Sequence, residues 1–230
     1  ESRIRELKFI NWLDTIAKDA HALYLLGDLF DFWIEYKKVV PKGFVRVLGK
    51  LAELADAGIR IHYFVGNHDL WMQDYFEVEL NIPVHHTPLE MIWNDKTFLI
   101  GHGDGLGPGD NGYKRMKRVF TNPLAQVLFR CLPTRWGIGL GQYLSLKNKM
   151  ISGEETPHFL GNNKEWLVHY CQEKEKEKKR HYYIFGHRHL PLNISIDDGA
   201  TYFNLGDWIV HDTYAVCDGY KTELNTVTPT

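Results

Sequence analysis

Four short stretches of this 230-residue chain gather oxygen and imidazole groups directly behind a glycine. They are Gly27-Asp28 with Asp31 close by, Gly66-Asn67-His68-Asp69, Gly101-His102-Gly103-Asp104 and Gly186-His187-Arg188-His189. The glycine allows the backbone to turn tightly beneath a site. Carboxylate, amide oxygen and imidazole without thiolate form a donor set suited to divalent ions of intermediate hardness, such as Mn²⁺, Fe²⁺ or Zn²⁺. Two such ions about 3.5–4 Å apart lower the pKa of a shared water and clamp phosphate oxygens for in-line displacement. A single Gly-Asp is commonly a turn, and a single Gly-His-Arg-His can be two solvent-facing imidazoles. Four of them in succession, each behind an apolar run, point to a metal site.

The elements that must position these groups follow from the apolar pattern. Ala22–Leu26, Ile59–Val65, Thr97–Ile100 and Tyr182–Phe185 are runs of strand length that end at the four glycines. Ligands in open α/β sheets bind in the crevice beyond such strand ends. Ile4, Leu7, Ile10, Leu13 and Ile16 repeat at helical spacing, as do Val45, Leu48, Leu51 and Leu54, and Gly58 closes the second helix. Helix–strand–helix–strand alternation implies right-handed crossovers and a parallel sheet, hence an α/β fold. Further on, the spacing predicts a helix over 70–80, a hairpin turning at Asn94-Asp95-Lys96, a helix over 163–179 and short strands near 192–196, 201–205, 214–216 and 222.

Hydrophobic content of 44% and charged content of 24% are ordinary for a soluble domain. Cys131, Cys171 and Cys217 form no metal-binding spacing, so free thiols in a reducing compartment are expected. No apolar run approaches the roughly 20 residues of a membrane span, and no signal-peptide pattern opens the sequence. A net charge of −2 hides one asymmetry. Residues 111–153 contain no acid but carry Lys114, Arg115, Lys117, Arg118, Arg130, Arg135, Lys147 and Lys149, leaving the rest of the chain at −10. Met116, Val119, Phe120, Leu124, Val127, Leu128 and Leu140 fall among them at roughly helical spacing, so a basic helical insertion or cap is expected over 111–153. Such a cap can cover a phosphorylated, acylated substrate, with Ser145, Lys147, Asn148 and Lys149 as candidate substrate contacts, and can rest on an anionic membrane face. Its aromatics form no stacking platform, so no nucleic-acid partner is expected. No obligate protein partner is inferred.

The order GD(x)₂D, GNHD, GHGD, GHRH resembles the calcineurin-like metallophosphoesterase superfamily. Within it, GDLFDFW, GNHDLW, HGDGLGPGD and NLGDW are similar to the UDP-2,3-diacylglucosamine hydrolases of lipid A synthesis. The resemblance implies a single domain over 1–230, a four-layer α/β/β/α sandwich of mixed sheets with the helical cap inserted. It implies two divalent metal ions, Mn²⁺ first and Fe²⁺ or Zn²⁺ as alternatives. Asp28 would bridge them, Asn67, His102 and His187 would complete one, and His189 would ligate the other. His68 would act at the scissile phosphate, oriented by Asp31, and Asn67 and His68 would both contact the substrate. The implied reaction is attack of a metal-bridging hydroxide on UDP-2,3-diacylglucosamine, giving UMP and 2,3-diacylglucosamine 1-phosphate, in the cytoplasm at the inner membrane face. A related enzyme of soluble nucleotides or phosphoesters is the alternative.

One family feature departs. The superfamily opens with a strand ending in Asp-x-His, which supplies two ligands to the metal held by His189. Here Asp19-Ala20-His21 has those letters but precedes its strand. The expectation is that the missing strand lies upstream of Glu1; its true loss would instead describe a non-catalytic scaffold on the same fold.

Overall fold

A computed structural model describes residues 2–109, 111–151, 158–159, 161–196 and 199–227, with the backbone alone for 2, 142, 144–151 and 163. Helix α1 (Ser2–Ile16) leads into strand β1 (Ala22–Leu25), and α2 (Val45–Asp56) carries the chain to β2 (Arg60–Phe64). β1 and β2 pair in parallel, Ala22 opposite Arg60 and Leu25 opposite Tyr63. β3 (Val84–His85) adds a third parallel strand beyond β2. Among the described residues, the other edge of β1 pairs with no strand.

Alternation along β2 sorts its side chains onto two faces. Ile61 and Tyr63 pack outward with Leu13 of α1, Leu51 and Leu54 of α2 and Phe76 of α3 (Tyr75–Leu80). Phe64 turns the other way and joins Leu26, Phe98, Ile100, Ile184 and Phe203. The last four belong to a five-stranded mixed sheet. Its strands are β4 (Leu89–Trp93), β5 (Lys96–Gly101), β6 (Tyr182–Phe185), β7 (Pro191–Ser195) and β8 (Thr201–Leu205), in the order β4-β5-β6-β8-β7. On its far face Tyr183, Phe185 and Tyr202 pack with Leu167, Val168 and Cys171 of α7 (Trp166–Glu177). The layers therefore run helix, sheet, sheet, helix, the expected α/β/β/α sandwich. Burying each large apolar side chain contributes about 1.5–3 kcal/mol, so the three aromatic-rich seams hold the layers together. A hairpin of β9 (Thr213–Cys217) and β10 (Thr222–Thr226) follows, with Tyr214 against Trp12 of α1.

Asn94 and Asp95, both at positive φ (43° and 61°), turn β4 into β5 as the sequence suggests. Elsewhere tertiary contacts override local spacing. The helix expected over 70–80 shrinks to α3, because Trp71 is drawn out to bridge Ile34 and to accept from Glu35 N. The helix expected over 163–179 is divided into a 3₁₀ turn at Asn162–Lys164 and α7. The three cysteines are free. Asp19 and His21 remain ahead of β1, on its amino side.

Residues 111–151 are helical, as α4 (Asn111–Phe120), α5 (Pro123–Arg130) and α6 (Thr134–Ile151). Asn122 caps α5 by accepting from Leu124 N and Ala125 N (2.9 and 3.2 Å), with Pro123 opening the helix. Trp71 anchors these helices: its ring meets Phe129 edge-on at 4.3 Å, and its Nε1 donates to Phe120 O at 2.8 Å. Arg130 Nη1 donates to Gln73 Oε1 at 2.9 Å.

Candidate metal centre

The ends of β1, β2, β5 and β6 meet closely, and two of their glycines, Gly27 and Gly66, leave no room for a side chain. A Cβ on Gly27, at φ +82°, would lie 2.6 Å from His102 Nδ1 and 2.7 Å from Gly66 N. One on Gly66 would lie 2.7 Å from Asp28 N. Asp28, His187 and His189 are themselves left-handed (φ 54°, 67° and 51°). Strain of this kind costs about 1–3 kcal/mol per residue and persists only where the surroundings enforce it. Here His68 N donates to Asp28 Oδ1 at 2.9 Å, and Asn204 Nδ2 donates to Gly186 O.

Four donors converge. Asn67 Oδ1 lies 3.1 Å from His102 Nε2 and 2.9 Å from His187 Nδ1. Asp28 Oδ2 is 3.2 Å from His102 Nε2, yet no aligned donor satisfies this buried oxygen. His102 Nδ1 donates to Leu26 O at 2.6 Å. The neutral imidazole therefore turns its Nε2 lone pair toward two oxygens, a conflict that only a proton or a cation resolves. Ligand atoms of Asp28, His102 and His187 all lie within 4.8 Å of one another. The donor set thus fits a divalent ion.

The electrostatics agree. Burial disfavours a charged His102, but Asp28 outweighs it and holds the imidazole up at about 9. Burial likewise pushes Asp28 up, and His102 more than offsets this, leaving the carboxylate below its usual range. Burial and the His102 charge lower His187 to about 4, so it stays neutral and able to ligate. The cluster demands positive charge at one point and keeps a second imidazole unprotonated beside it.

His189 stands outside this cluster, its Nδ1 3.9 Å from Asp207 Oδ2. Asp207 is fixed by the backbone N–H groups of Ile209, Val210 and His211 on its Oδ1 (2.9, 2.8 and 3.2 Å). Asp207 lies in the NLGDW stretch, where β8 ends in Leu205-Gly206-Asp207, the strand–glycine–carboxylate order also present at Gly27-Asp28. At the rim, His68 Nδ1 donates to the main-chain carbonyl of Asp31 at 3.0 Å. Asp31 thus meets His68 through its backbone carbonyl, which leaves His68 Nε2 directed away from that bond. Asp69 is fully buried and accepts from Tyr63 Oη and Gly66 N. Burial and the charge of Asp28 push it up to about 7. Asp104 accepts from Tyr113 Oη and from Lys117 Nζ (2.6 Å), joining the β5 loop to α4. Ser145, Lys147, Asn148 and Lys149 lie on α6, but their side chains fall outside the described residues.

No family model matches the chain. It is 40% identical over 235 residues to a UDP-2,3-diacylglucosamine hydrolase of Porphyromonas gingivalis, covering 96% of this chain and 89% of that protein. The chain belongs to the UDP-2,3-diacylglucosamine hydrolase family. A second member, from Ectopseudomonas mendocina, is 30% identical over 203 residues, with 87% and 82% covered. Among solved structures, an archaeal phosphodiesterase aligns over 99% of this chain and 94% of its own at 10% identity, with a TM-score of 0.48. As a UDP-2,3-diacylglucosamine hydrolase family member the chain is a hydrolase, and its candidate metal site is the cluster of Asp28, Asn67, His102 and His187.

Proposed function

We propose that this hydrolase cleaves the phosphoanhydride of UDP-2,3-diacylglucosamine, releasing UMP and 2,3-diacylglucosamine 1-phosphate on the route to lipid A. The observation that carries this reading is the convergence of Asp28, Asn67, His102 and His187 in a chain so similar to hydrolases bearing that name. In this reading Asp28, Asn67, His102 and His187 hold one divalent ion, and His189 with Asp28 serves a second. Mn²⁺, or Fe²⁺ or Zn²⁺ in its place, supplies an activated water and neutralises phosphate oxygens when bound.

The remaining work belongs to the chain itself. A new oxygen bond forms at the α-phosphorus, and the bond from that phosphorus to the bridging oxygen breaks. Negative charge accumulates on the leaving sugar 1-phosphate. His68, tethered through Nδ1 to Asp31 O, presents its other nitrogen to stabilise or protonate that oxygen. Asp31 acts on orientation, with its carbonyl accepting from His68. The basic helices 111–151 take the acylated half, with Ser145, Lys147, Asn148 and Lys149 as substrate contacts. Exposed Arg115 and Arg118 face anionic groups of the substrate or of the membrane. Among the described residues no helix is long and apolar enough to cross a membrane. In this reading the protein attaches peripherally to the inner membrane face, on the cytoplasmic side where its basic helices meet anionic lipid.

The test is release of UMP from UDP-2,3-diacylglucosamine by the purified protein, restored by Mn²⁺ after chelation. Equal turnover of deacylated UDP-glucosamine would overturn the lipid assignment.

A further inference from the structure

Both histidines of Gly186-His187-Arg188-His189 are left-handed, and the residue between them sends its side chain away from the cluster. Arg188 Nε and Nη2 each lie 2.8 Å from Glu165, one on each carboxylate oxygen. Its guanidinium also sits 4.9 Å over the ring of Trp166, and Nη2 reaches His158 O at 3.4 Å. Glu165 is buried and immediately precedes α7, whose Leu167 and Val168 lie in the core. Trp166 closes the arrangement, its ring 6.4 Å from that of His187. The backbone of Arg188 donates to Gly186 O at 2.8 Å.

A two-point planar fork fixes both the position and the rotation of the group that carries it, which a single charge contact does not. Arg188 is flanked on both sides by imidazoles in a conformation that the isolated chain disfavours. Fixing its side chain to α7 therefore fixes the backbone from which both imidazoles project. The same anchor collects His158 and Glu165, where the chain returns from the basic helices, so the exit of that segment is fastened to the metal loop.

We infer that Arg188, through its forked pair with Glu165, is the positioning residue that holds His187 and His189 in ligating geometry. It touches neither metal nor substrate. The inference rests on the metal site proposed above but not on the identity of the substrate, so its test reads metal binding directly.

The experiment measures Mn²⁺ affinity and stoichiometry by calorimetry, with the melting temperature of the metal-free protein recorded alongside. Arg188→Met and Glu165→Gln should each weaken Mn²⁺ binding by about 10–100-fold, the range for partners that orient ligands. The double variant should be no worse than either single one, because both remove the same fork. Arg188→Lys keeps the fold and the charge but loses the fork, and should weaken binding to an intermediate degree. Metal affinity unchanged in both Arg188→Lys and Glu165→Gln, with only the melting temperature lowered, would reduce the pair to a structural ion pair and overturn the inference. Strictly additive losses in the double variant would also overturn it. Wild-type protein that takes up no Mn²⁺ would overturn the metal reading itself, a result distinct from either of these.

Discussion

At the strand ends His102 and Asp104 are buried, and the polar groups of the loops interlock until one buried oxygen of Asp28 stands out as unsatisfied. Along α5 and the start of α6, Leu124, Leu128 and Trp136 are 67%, 63% and 68% exposed, and neither α4 nor α5 buries a side chain. The first region is pre-assembled around a point that needs a cation. The second is an apolar and basic surface that the described residues leave exposed, and large exposed apolar patches mark contact with a ligand, partner or membrane. In the proposed function chemistry belongs to the first and substrate choice to the second, and substitutions should separate them.

The largest effect is expected where the pre-assembled region is opened. Asp28→Ala should abolish stable metal binding and lower turnover by at least about a thousandfold, the loss of several kcal/mol of charge stabilisation. It also leaves the His102 charge buried without its partner. Metal content by elemental analysis checks this, and wild-type content in the variant would break the contrast. Next comes His68→Ala, expected to slow turnover by about 10²–10⁴ while leaving metal content unchanged, since its side chain is held at the rim by Asp31 O. Metal loss equal to that in Asp28→Ala would place His68 among the ligands instead.

A smaller effect follows from the protons of the cluster. In metal-free protein His102 is raised to about 9 and Asp28 is depressed. A raised histidine stabilises fully below its unfolded value near 6.5, and that contribution is lost as pH rises through about 9. A depressed carboxylate stabilises above its unfolded value near 3.8, and that contribution is lost as pH falls. The pair therefore supports metal-free protein best between about pH 4 and 6.5, and its melting temperature should decline from there toward pH 9. Metal entry must displace the His102 proton, so filling the site that His102 serves should release about one proton near neutral pH. Calorimetry in buffers of different ionisation enthalpy measures this, and release-free binding would mean that His102 is not a ligand.

The two regions were also unequally legible in the sequence. Asp28, Asn67, His102 and His187 could be found because each follows a strand-length apolar run and a glycine, so a local signal marked each position. Gly206-Asp207 bears a similar local signal after β8, but a single Gly-Asp is commonly a turn, and only the fold brings it beside His189. Side-chain destinations set by distant contacts left no such mark. Nothing in Trp71 reveals that it leaves the expected helix to anchor Phe129, and nothing in Asp31 reveals that its main-chain carbonyl receives His68. β3, only two residues long, is defined by its pairing with β2 and not by any periodicity of its own. The helices of residues 111–151 were legible as basic and amphipathic, while their attachment through Trp71 and Gln73 was not.

The smallest effect should come from the exposed region, and it is the most informative about substrate. Replacing Leu124, Leu128 and Trp136 together by serine removes apolar groups that the folded chain leaves in water. Such surface changes usually alter stability by no more than about 0.5 kcal/mol each, so the melting temperature should barely move. If these side chains receive acyl chains, the KM for UDP-2,3-diacylglucosamine should rise by about tenfold, the loss of roughly 1.4 kcal/mol of binding. Metal content should stay at the wild-type level, and the slow turnover of deacylated UDP-glucosamine should be unchanged. A fall in kcat with KM constant would mean that the helices act on the chemical step after all. Equal losses on acylated and deacylated substrates would mean that they position the phosphates instead of the lipid. Either result would erase the division of labour between the two regions, because the exposed helices would then belong to the same interlocked unit as the strand ends.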